Sequence, residues 1–182
     1  MNLSVELRER GAIDEAIIAS RKAISIDPRF VNAYVGLGAA YLAKGNLAEA
    51  ESQYLKALQM MPDYAKIYNA LGLLYLTQGR IQEALAAFNE NLRLDPDDVN
   101  ALVNRASALA YQGYFTAAIA DYHKALQVGG NNPDIVFNLA VAYARNGETT
   151  KAVTNFEEVL RLSPGDREAM AFLKQLRSRQ PK

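Results

Sequence analysis

Several residue types are scarce or missing from this sequence, and each absence removes a class of function. The 182-residue chain has no cysteine, which excludes disulfides, thiolate metal sites and cysteine nucleophiles. Its single histidine, His123, has no second imidazole with which to form a metal site or a catalytic dyad. Basic and acidic residues number 20 each, so no strongly basic surface is expected. We therefore predict no metal, no cofactor and no nucleic acid partner.

Long apolar runs and phosphate-binding motifs are also missing. No apolar run approaches the ~20 residues that span a bilayer, and the first residues, MNLSVELRER, carry charges where a signal peptide is apolar. These features predict no direct membrane insertion, and the lack of cysteine fits a cytoplasmic location. Neither G-x-x-x-x-G-K-[ST] nor G-x-G-x-x-G occurs. We expect no catalytic activity from these residues.

The sequence instead contains a regular repeat. The pattern Tyr-x-x-Leu-Gly-x-x-Tyr begins at Tyr34 and again at Tyr68, 34 residues later. Between recurring glycines and prolines, apolar residues follow the i, i+3, i+4, i+7 spacing of a helix. The pattern predicts an all-α fold in which each unit is a helix, a glycine turn, a second helix and a proline-marked turn. The glycines of this series are Gly11, Gly45, Gly79, Gly113 and Gly147.

The period and its phased residues resemble the tetratricopeptide repeat, whose pattern is W-x-x-L-G-x-x-Y, A-x-x-x-F, A and P. The second unit supplies Tyr34, Leu37, Gly38, Tyr41, Ala50, Tyr54, Ala57 and Pro62. The resemblance implies a right-handed α-solenoid forming a single domain over residues 1–182. Its predicted parts are a partial first repeat (1–30), four repeats (31–64, 65–98, 99–132 and 133–166) and a capping helix (167–180).

One phase of the repeat has small residues, and the fourth repeat departs from the Leu-Gly pattern there. Small residues at one phase, Gly38, Gly72, Ala106 and Ala140, are expected to let paired helices approach closely, so the octapeptide is interpreted as packing. The fourth repeat replaces the Leu-Gly pair by Arg105 and Ala106.

Both ends of the chain invite predictions. The helix at Asn2–Arg10 lacks its opening turn, so we expect either a longer parent protein or a second copy docked on this edge as a homo-oligomer. At the other end, Met170, Leu173 and Leu176 are predicted to face the fifth repeat. The junction GGNNP at 129–133 is predicted to be more flexible than the other junctions, with Asn132 capping the next helix.

The resemblance implies that the first helix of each repeat lines a concave groove. The candidate groove residues are Asn32, Val35, Lys66, Asn69, Leu73, Asn100, Asn104, Tyr111, Phe137, Asn138, Val141 and Arg145. Asn104 and Asn138 share one phase, and a row of amides could bind the backbone of an extended peptide. The alternative is that asparagine is simply tolerated on an open helix face. An apolar strip that includes Leu73 and Phe137 either receives a hydrophobic ligand or is half-buried against neighbouring helices.

The leading hypothesis is a non-catalytic interaction module or scaffold that binds a peptide segment of a partner protein. One alternative is the substrate-recognition arm of a larger enzyme such as a glycosyltransferase, and another is a self-assembling structural scaffold. The family's carboxylate clamp is disfavoured, because only Asn104 fits its required pattern.

Overall fold

The structure is a computed structural model that describes residues 12–178. Those residues contain ten helices and no strand, which confirms the all-α prediction. The helices are α1 (Ile13–Ile26), α2 (Val31–Lys44), α3 (Leu47–Met60), α4 (Ala65–Thr77), α5 (Ile81–Leu94), α6 (Val99–Tyr111), α7 (Phe115–Gly129), α8 (Pro133–Arg145), α9 (Thr149–Leu162) and α10 (Arg167–Ser178). The chain divides after Asp95 into two compact units, here called unit 1 (α1–α5) and unit 2 (α6–α10).

Unit 1 is built from helical hairpins whose turns depend on glycine. Gly45 ends α2 with φ 83°, and Gly79 follows α4 with φ 73°, a left-handed backbone that glycine adopts without a Cβ clash. The rings of Tyr54 and Phe88 are buried inside these hairpins. A Cβ at Gly38 would lie 2.7 Å from the Tyr54 ring, and one at Gly72 would overlap the Phe88 ring. The octapeptide is therefore a packing unit, as the sequence predicts.

Asn91 is a fully buried polar residue in unit 1, at a phase where the repeat pattern has a small alanine. Its side-chain Nδ2 donates a hydrogen bond of 2.9 Å to the backbone carbonyl of Ala65, the first residue of α4. The amide thereby fixes the start of α4 against α5. A buried polar group is tolerated when it is hydrogen-bonded in this way.

Unit 2 repeats the hairpin design and adds the final helix. Asn132 caps α8, where its side-chain Oδ1 accepts from the Asp134 N–H and Pro133 takes the first helical position, which confirms the predicted cap. Phe137, Phe156 and Phe172 form a three-ring cluster that joins α8, α9 and α10. Phe156 and Phe172 are stacked with their centroids 5.1 Å apart. Aromatic contacts of this kind add to the burial of the rings.

The predicted inner face of α10 is confirmed at Leu173 and wrong at Met170. Met170 is 46% exposed, whereas Ala169 and Leu173 are buried and Phe172 enters the ring cluster. The apolar stripe of this helix therefore runs through Ala169, Phe172, Leu173 and the half-buried Leu176.

An ion pair stabilises the hairpin whose Leu-Gly pair is missing. The guanidinium of Arg105 on α6 donates two hydrogen bonds of 2.7 Å to the two carboxylate oxygens of Asp121 on α7. Asp121 is buried, so the charge pair lies inside the hairpin.

Some predictions remain outside the described residues or untested by them. Those for Asn2–Arg10, with the docking edge built on them, and for residues 179–180 of the capping helix fall outside the described range. The single solenoid domain over 1–182 and its repeat boundaries stay predictions.

Candidate functional site

Unit 1 has a hollow of about 370 Å³ between its helices α2 and α4. Small and apolar side chains dominate the wall, and Lys66 and Asn69 supply the polar groups. The lining residues are Ala39, Leu42, Ala43, Tyr54, Lys66, Asn69, Ala70 and Leu73. Leu73 is partly exposed there, so the hollow offers apolar surface to a bound group.

Unit 2 has a hollow of about 510 Å³ between α6 and α8, floored by α7. Its lining is more polar and contains one charged residue, Arg145. The lining residues are Ser107, Ala110, Tyr111, Phe115, Tyr122, Asn138, Val141, Ala142 and Arg145. Tyr111 is 80% exposed at the rim, so its ring is available to a ligand.

The two hollows are built from the same positions of the repeat. Six lining residues of the hollow in unit 1 each stand 68 residues, two repeats, before a lining residue of the hollow in unit 2. The pairs are Ala39 and Ser107, Leu42 and Ala110, Ala43 and Tyr111, Tyr54 and Tyr122, Ala70 and Asn138, and Leu73 and Val141. The hollow is therefore a property of the repeat, and its chemistry differs between the units.

The floor of the hollow in unit 2 is a hydroxyl pair. Ser107 Oγ donates to the Val103 carbonyl at 2.9 Å and lies 3.0 Å from the Tyr122 hydroxyl. Either hydroxyl can be the donor in this pair. Burial raises the pKa of the Tyr122 phenol, while its bond to Ser107 opposes that shift. The floor of the hollow is therefore polar and already hydrogen-bonded within the protein.

Some of the predicted groove residues line one of the two hollows, and the others lie elsewhere in the fold. Lys66, Asn69 and Leu73 line the hollow in unit 1, and four more line the hollow in unit 2, namely Tyr111, Asn138, Val141 and Arg145.

Asn32, Val35, Asn100 and Asn104 line neither of these two hollows. Asn32 accepts a hydrogen bond of 3.3 Å from the Tyr64 hydroxyl beside the turn at Met61. Val35 packs against the core of unit 1. Asn100 is exposed in the first turn of α6, and its backbone N–H is bonded to the Asp98 carboxylate. Asn104 is half-buried on the same helix.

Phe137 packs against neighbouring helices, which was one of the two alternatives for the apolar strip, although the sequence did not identify its partners. Its ring belongs to the three-ring cluster, with centroids 5.5 Å from Phe156 and 5.8 Å from Phe172. The residue is half-buried and also borders a shallower hollow of about 460 Å³ with Asp134 and Asn138. Its replacement would therefore disturb packing as well as any binding.

Tyr122 lines the hollow in unit 2 and was not among the predicted groove residues. It occupies the aromatic position of the repeat, and its ring is buried. Its hydroxyl nevertheless reaches Ser107 on the groove side. The choice of Tyr over Phe at this position is the signal that could have indicated a polar floor.

His123 is exposed on α7, and its Nε2 forms a 2.6 Å hydrogen bond with the Tyr143 hydroxyl. Over residues 12–178, the structure contains no cluster of three or more His, Cys, Asp or Glu that could hold a metal ion. In the same range, every helix is too short or too polar to cross a bilayer.

Sequence comparison identifies one family along most of the chain. Patterns described as "Tetratricopeptide repeat" match residues 30–97 and 103–167, and one described as "TPR repeat" matches residues 6–45. No curated protein matches the sequence significantly.

Solved structures of similar fold are tetratricopeptide and related proteins. MamA is 24% identical, with 88% of this chain and 94% of MamA covered and a TM-score of 0.77. YrrB, described as a TPR protein with an unusual peptide-binding site, is 22% identical, with 95% and 89% covered and a TM-score of 0.76. PilF of Pseudomonas aeruginosa is 20% identical, with 95% and 94% covered and a TM-score of 0.79. At these identities the similarity establishes the fold alone.

Proposed function

The chain belongs to the tetratricopeptide repeat family, whose members generally act as protein-interaction modules, and we propose that it binds a peptide segment of a partner protein without catalysing a reaction. The binding surface is the face of the first helices of the repeats. In unit 1 this face holds the hollow between α2 and α4, and in unit 2 the hollow between α6 and α8.

One observation carries this proposal, namely the recurrence of a hollow at the same repeat positions in both units. An accidental surface irregularity has no reason to recur at a spacing of two repeats. Apart from Tyr54 and Tyr122, whose rings are buried in the hairpin cores, the paired residues differ in size or polarity between the two hollows. Ala43 and Tyr111 are one such pair.

The chemistry of the two hollows suits an extended peptide. Apolar surface from Leu73 and Val141 can receive a side chain, and amides such as Asn138 can bond a peptide backbone in any sequence. The asparagine row of Asn104 and Asn138 remains part of this proposal. YrrB, which shares the fold, is described as having a peptide-binding site, and this supports the same class of ligand here.

Site-specific photo-crosslinking tests the proposal. A photoreactive phenylalanine analogue replaces Tyr111, at the rim of the hollow in unit 2, and the protein is incubated with a phage-displayed library of random dodecapeptides. We expect enriched peptides to crosslink at this position, because Tyr111 is 80% exposed and lines the hollow.

Tyr114 provides a matched control. It is also an exposed tyrosine, 58% accessible and three residues away, but it does not line the hollow. The same analogue at Tyr114 should give little crosslinking. Equal yields at both positions, or a library that enriches no peptide on the wild-type protein, would contradict the proposal.

A further inference from the structure

The hollow in unit 2 is electrostatically one-sided. Arg145 is its only charged lining residue, and it lies exposed in the last turn of α8. None of the acidic residues between 12 and 178 forms an ion pair with it. The hollow thus has an uncompensated positive charge.

Most other cations of unit 2 have an acidic partner within the unit. Lys124 pairs with Asp97 at 3.2 Å, and Arg177 pairs with Glu157 at 2.6 Å. The remaining ion pairs are Arg105 with Asp121, Lys151 with Glu148, and Arg161 with Glu158. Arg145 differs from these residues in lining a hollow and in having no acidic partner there.

Three side chains, Tyr111 on α6 and Asn138 and Arg145 on α8, supply hydrogen-bond donors that the hollow leaves available. The hydroxyls of Ser107 and Tyr122 are hydrogen-bonded to each other, and Ser107 also bonds the Val103 carbonyl. Asn138 and Arg145 line the same hollow, and the described part of the chain provides neither side chain with a hydrogen-bond acceptor. A carboxylate, which only accepts hydrogen bonds, complements this set of donors.

We propose that the hollow of unit 2 selects a peptide carrying an aspartate or glutamate, whose carboxylate pairs with Arg145 while Asn138 bonds the peptide backbone. This inference rests on the proposed peptide-binding function. Asn138 and Arg145 are seven residues apart on one helix, about 10 Å along its axis. An extended peptide advances about 3.3 Å per residue, so the acidic side chain is expected about three residues from the one bound by Asn138.

The hollow of unit 1 has no side chains that correspond to Asn138 and Arg145. The residues two repeats before Asn138 and Arg145 are Ala70 and Thr77. Neither can supply a charge, and the Thr77 hydroxyl donates to the Leu73 carbonyl at 2.9 Å. The cation of the hollow in unit 1 is Lys66, which stands two repeats before Asp134, so the pair formed by Asn138 and Arg145 on one helix belongs to unit 2.

The test uses the full chain and the same library of displayed random dodecapeptides. Peptides selected on the wild-type protein should be enriched about threefold or more in Asp and Glu at one position. Selected peptides are then synthesised with the acidic residue and with its amide, Glu→Gln or Asp→Asn. Affinities for the wild type and for Arg145→Gln are measured by fluorescence polarisation at low and high salt.

We expect Arg145→Gln, or the amide peptide, to weaken binding about three- to tenfold at low salt. Combining both changes should weaken binding no further than either alone, because both remove the same contact. High salt should reduce the wild-type preference for the acidic peptide. Lys174→Gln removes the same charge from an exposed site on α10 that lines no part of this hollow, and it should leave affinity unchanged.

The possible outcomes separate the two proposals. Peptides that crosslink at Tyr111 but show no acidic enrichment overturn the acidic specificity and leave peptide binding intact. The specificity is equally overturned if Arg145→Gln weakens the acidic and amide peptides alike, or if Lys174→Gln has the same effect. A library that yields no binding peptide on the wild-type protein overturns both proposals.

Discussion

Arg105 and Asp121 are joined by two parallel hydrogen bonds across the hairpin of α6 and α7. Their side chains are 25% and 12% exposed, so the pair is largely shielded from water. Leucine occupies the position of Arg105 in the preceding repeat, at Leu71, and alanine occupies that of Asp121, at Ala87. The ion pair therefore stands where unit 1 has an apolar contact.

Removing only one partner of this pair should be strongly destabilising. Arg105→Leu leaves the Asp121 carboxylate buried without its counter-ion, and we expect a loss of about 3 kcal/mol in the free energy of unfolding. The double variant Arg105→Leu with Asp121→Ala copies the residues of Leu71 and Ala87 and should recover most of that loss. Urea denaturation followed by circular dichroism measures the free energy of unfolding of the single variant and of the double variant. A double variant no more stable than Arg105→Leu would show that the pair is not the cause.

The close approach of the helices at Gly72 predicts a second stability effect. Gly72→Ala places a methyl group into the Phe88 ring, and we expect a cost of about 1–3 kcal/mol. Gly165→Ala is the control, because a Cβ there meets open space. Thermal melts should separate the two variants clearly. Equal melting temperatures would contradict the packing role of Gly72.

Low pH should reduce the stability of the folded protein, because it protonates three carboxylates that are ion-paired. Hydrogen bonds from Arg80, Lys151 and Arg161 lower the pKa values of Glu83, Glu148 and Glu158, respectively, below their usual 4.5. A lowered folded-state pKa gives stability that is present above about pH 4.5 and is lost as the pH falls through the folded-state values.

The melting temperature should therefore decline below pH 4.5, and the triple variant Glu83→Gln, Glu148→Gln, Glu158→Gln should decline less steeply. All three groups lie at the surface, so 1 M NaCl should also reduce the difference between the two proteins. If the melting temperatures of the wild type and the triple variant fall in parallel with pH at low salt, these three carboxylates do not contribute to the acid sensitivity.

The asparagine pair predicts a loss of binding without a loss of stability. Asn104→Ala combined with Asn138→Ala should weaken the binding of the peptides selected on the wild-type protein, because both variants remove an amide that would bond the peptide backbone. The melting temperature should change little, since both residues lie on the groove-side helices rather than in the fully buried core. Unchanged peptide affinity in the double variant would discard the asparagine row.

Hydrogen exchange tests the junction between α7 and α8. Gly130 has φ 76° beside a second glycine, and the chain from 129 to 132 is exposed. We expect the amides of residues 129–133 to exchange faster than those of residues 61–65. Equal or slower exchange at 129–133 would contradict the predicted flexibility.

The period of the sequence was enough to predict the helices and their pairing, because glycine, proline and apolar spacing act locally. Gly38 illustrates this, since its small size is needed by a ring only 16 residues away. The resemblance to the tetratricopeptide repeat predicted Asn138, Val141 and Arg145 as groove residues, and all three line one hollow, whereas their role in binding stays a prediction.

Contacts between side chains of different helices were harder to predict. The partner of Arg105 could have been sought, because a charge at a core position requires a counter-ion, but nothing in the sequence spacing identifies Asp121 uniquely. The ring cluster was missed because Met170 was predicted on the inner face of α10 together with Leu173, and Phe172 was not. Phe172 and Leu173 are adjacent in sequence and both face inward, so the apolar stripe is wider than the one that was predicted.

Duplication of a repeat copies its hollow together with its hairpin core, and the two can then diverge separately. Exchanging Thr77 for arginine and Ala70 for asparagine would transplant the polar wall of one hollow into the other while leaving the rings of Tyr54 and Phe88 where they are. Substitutions at a few positions of the hollow would thus change its ligand preference, while the hairpin cores stay the same.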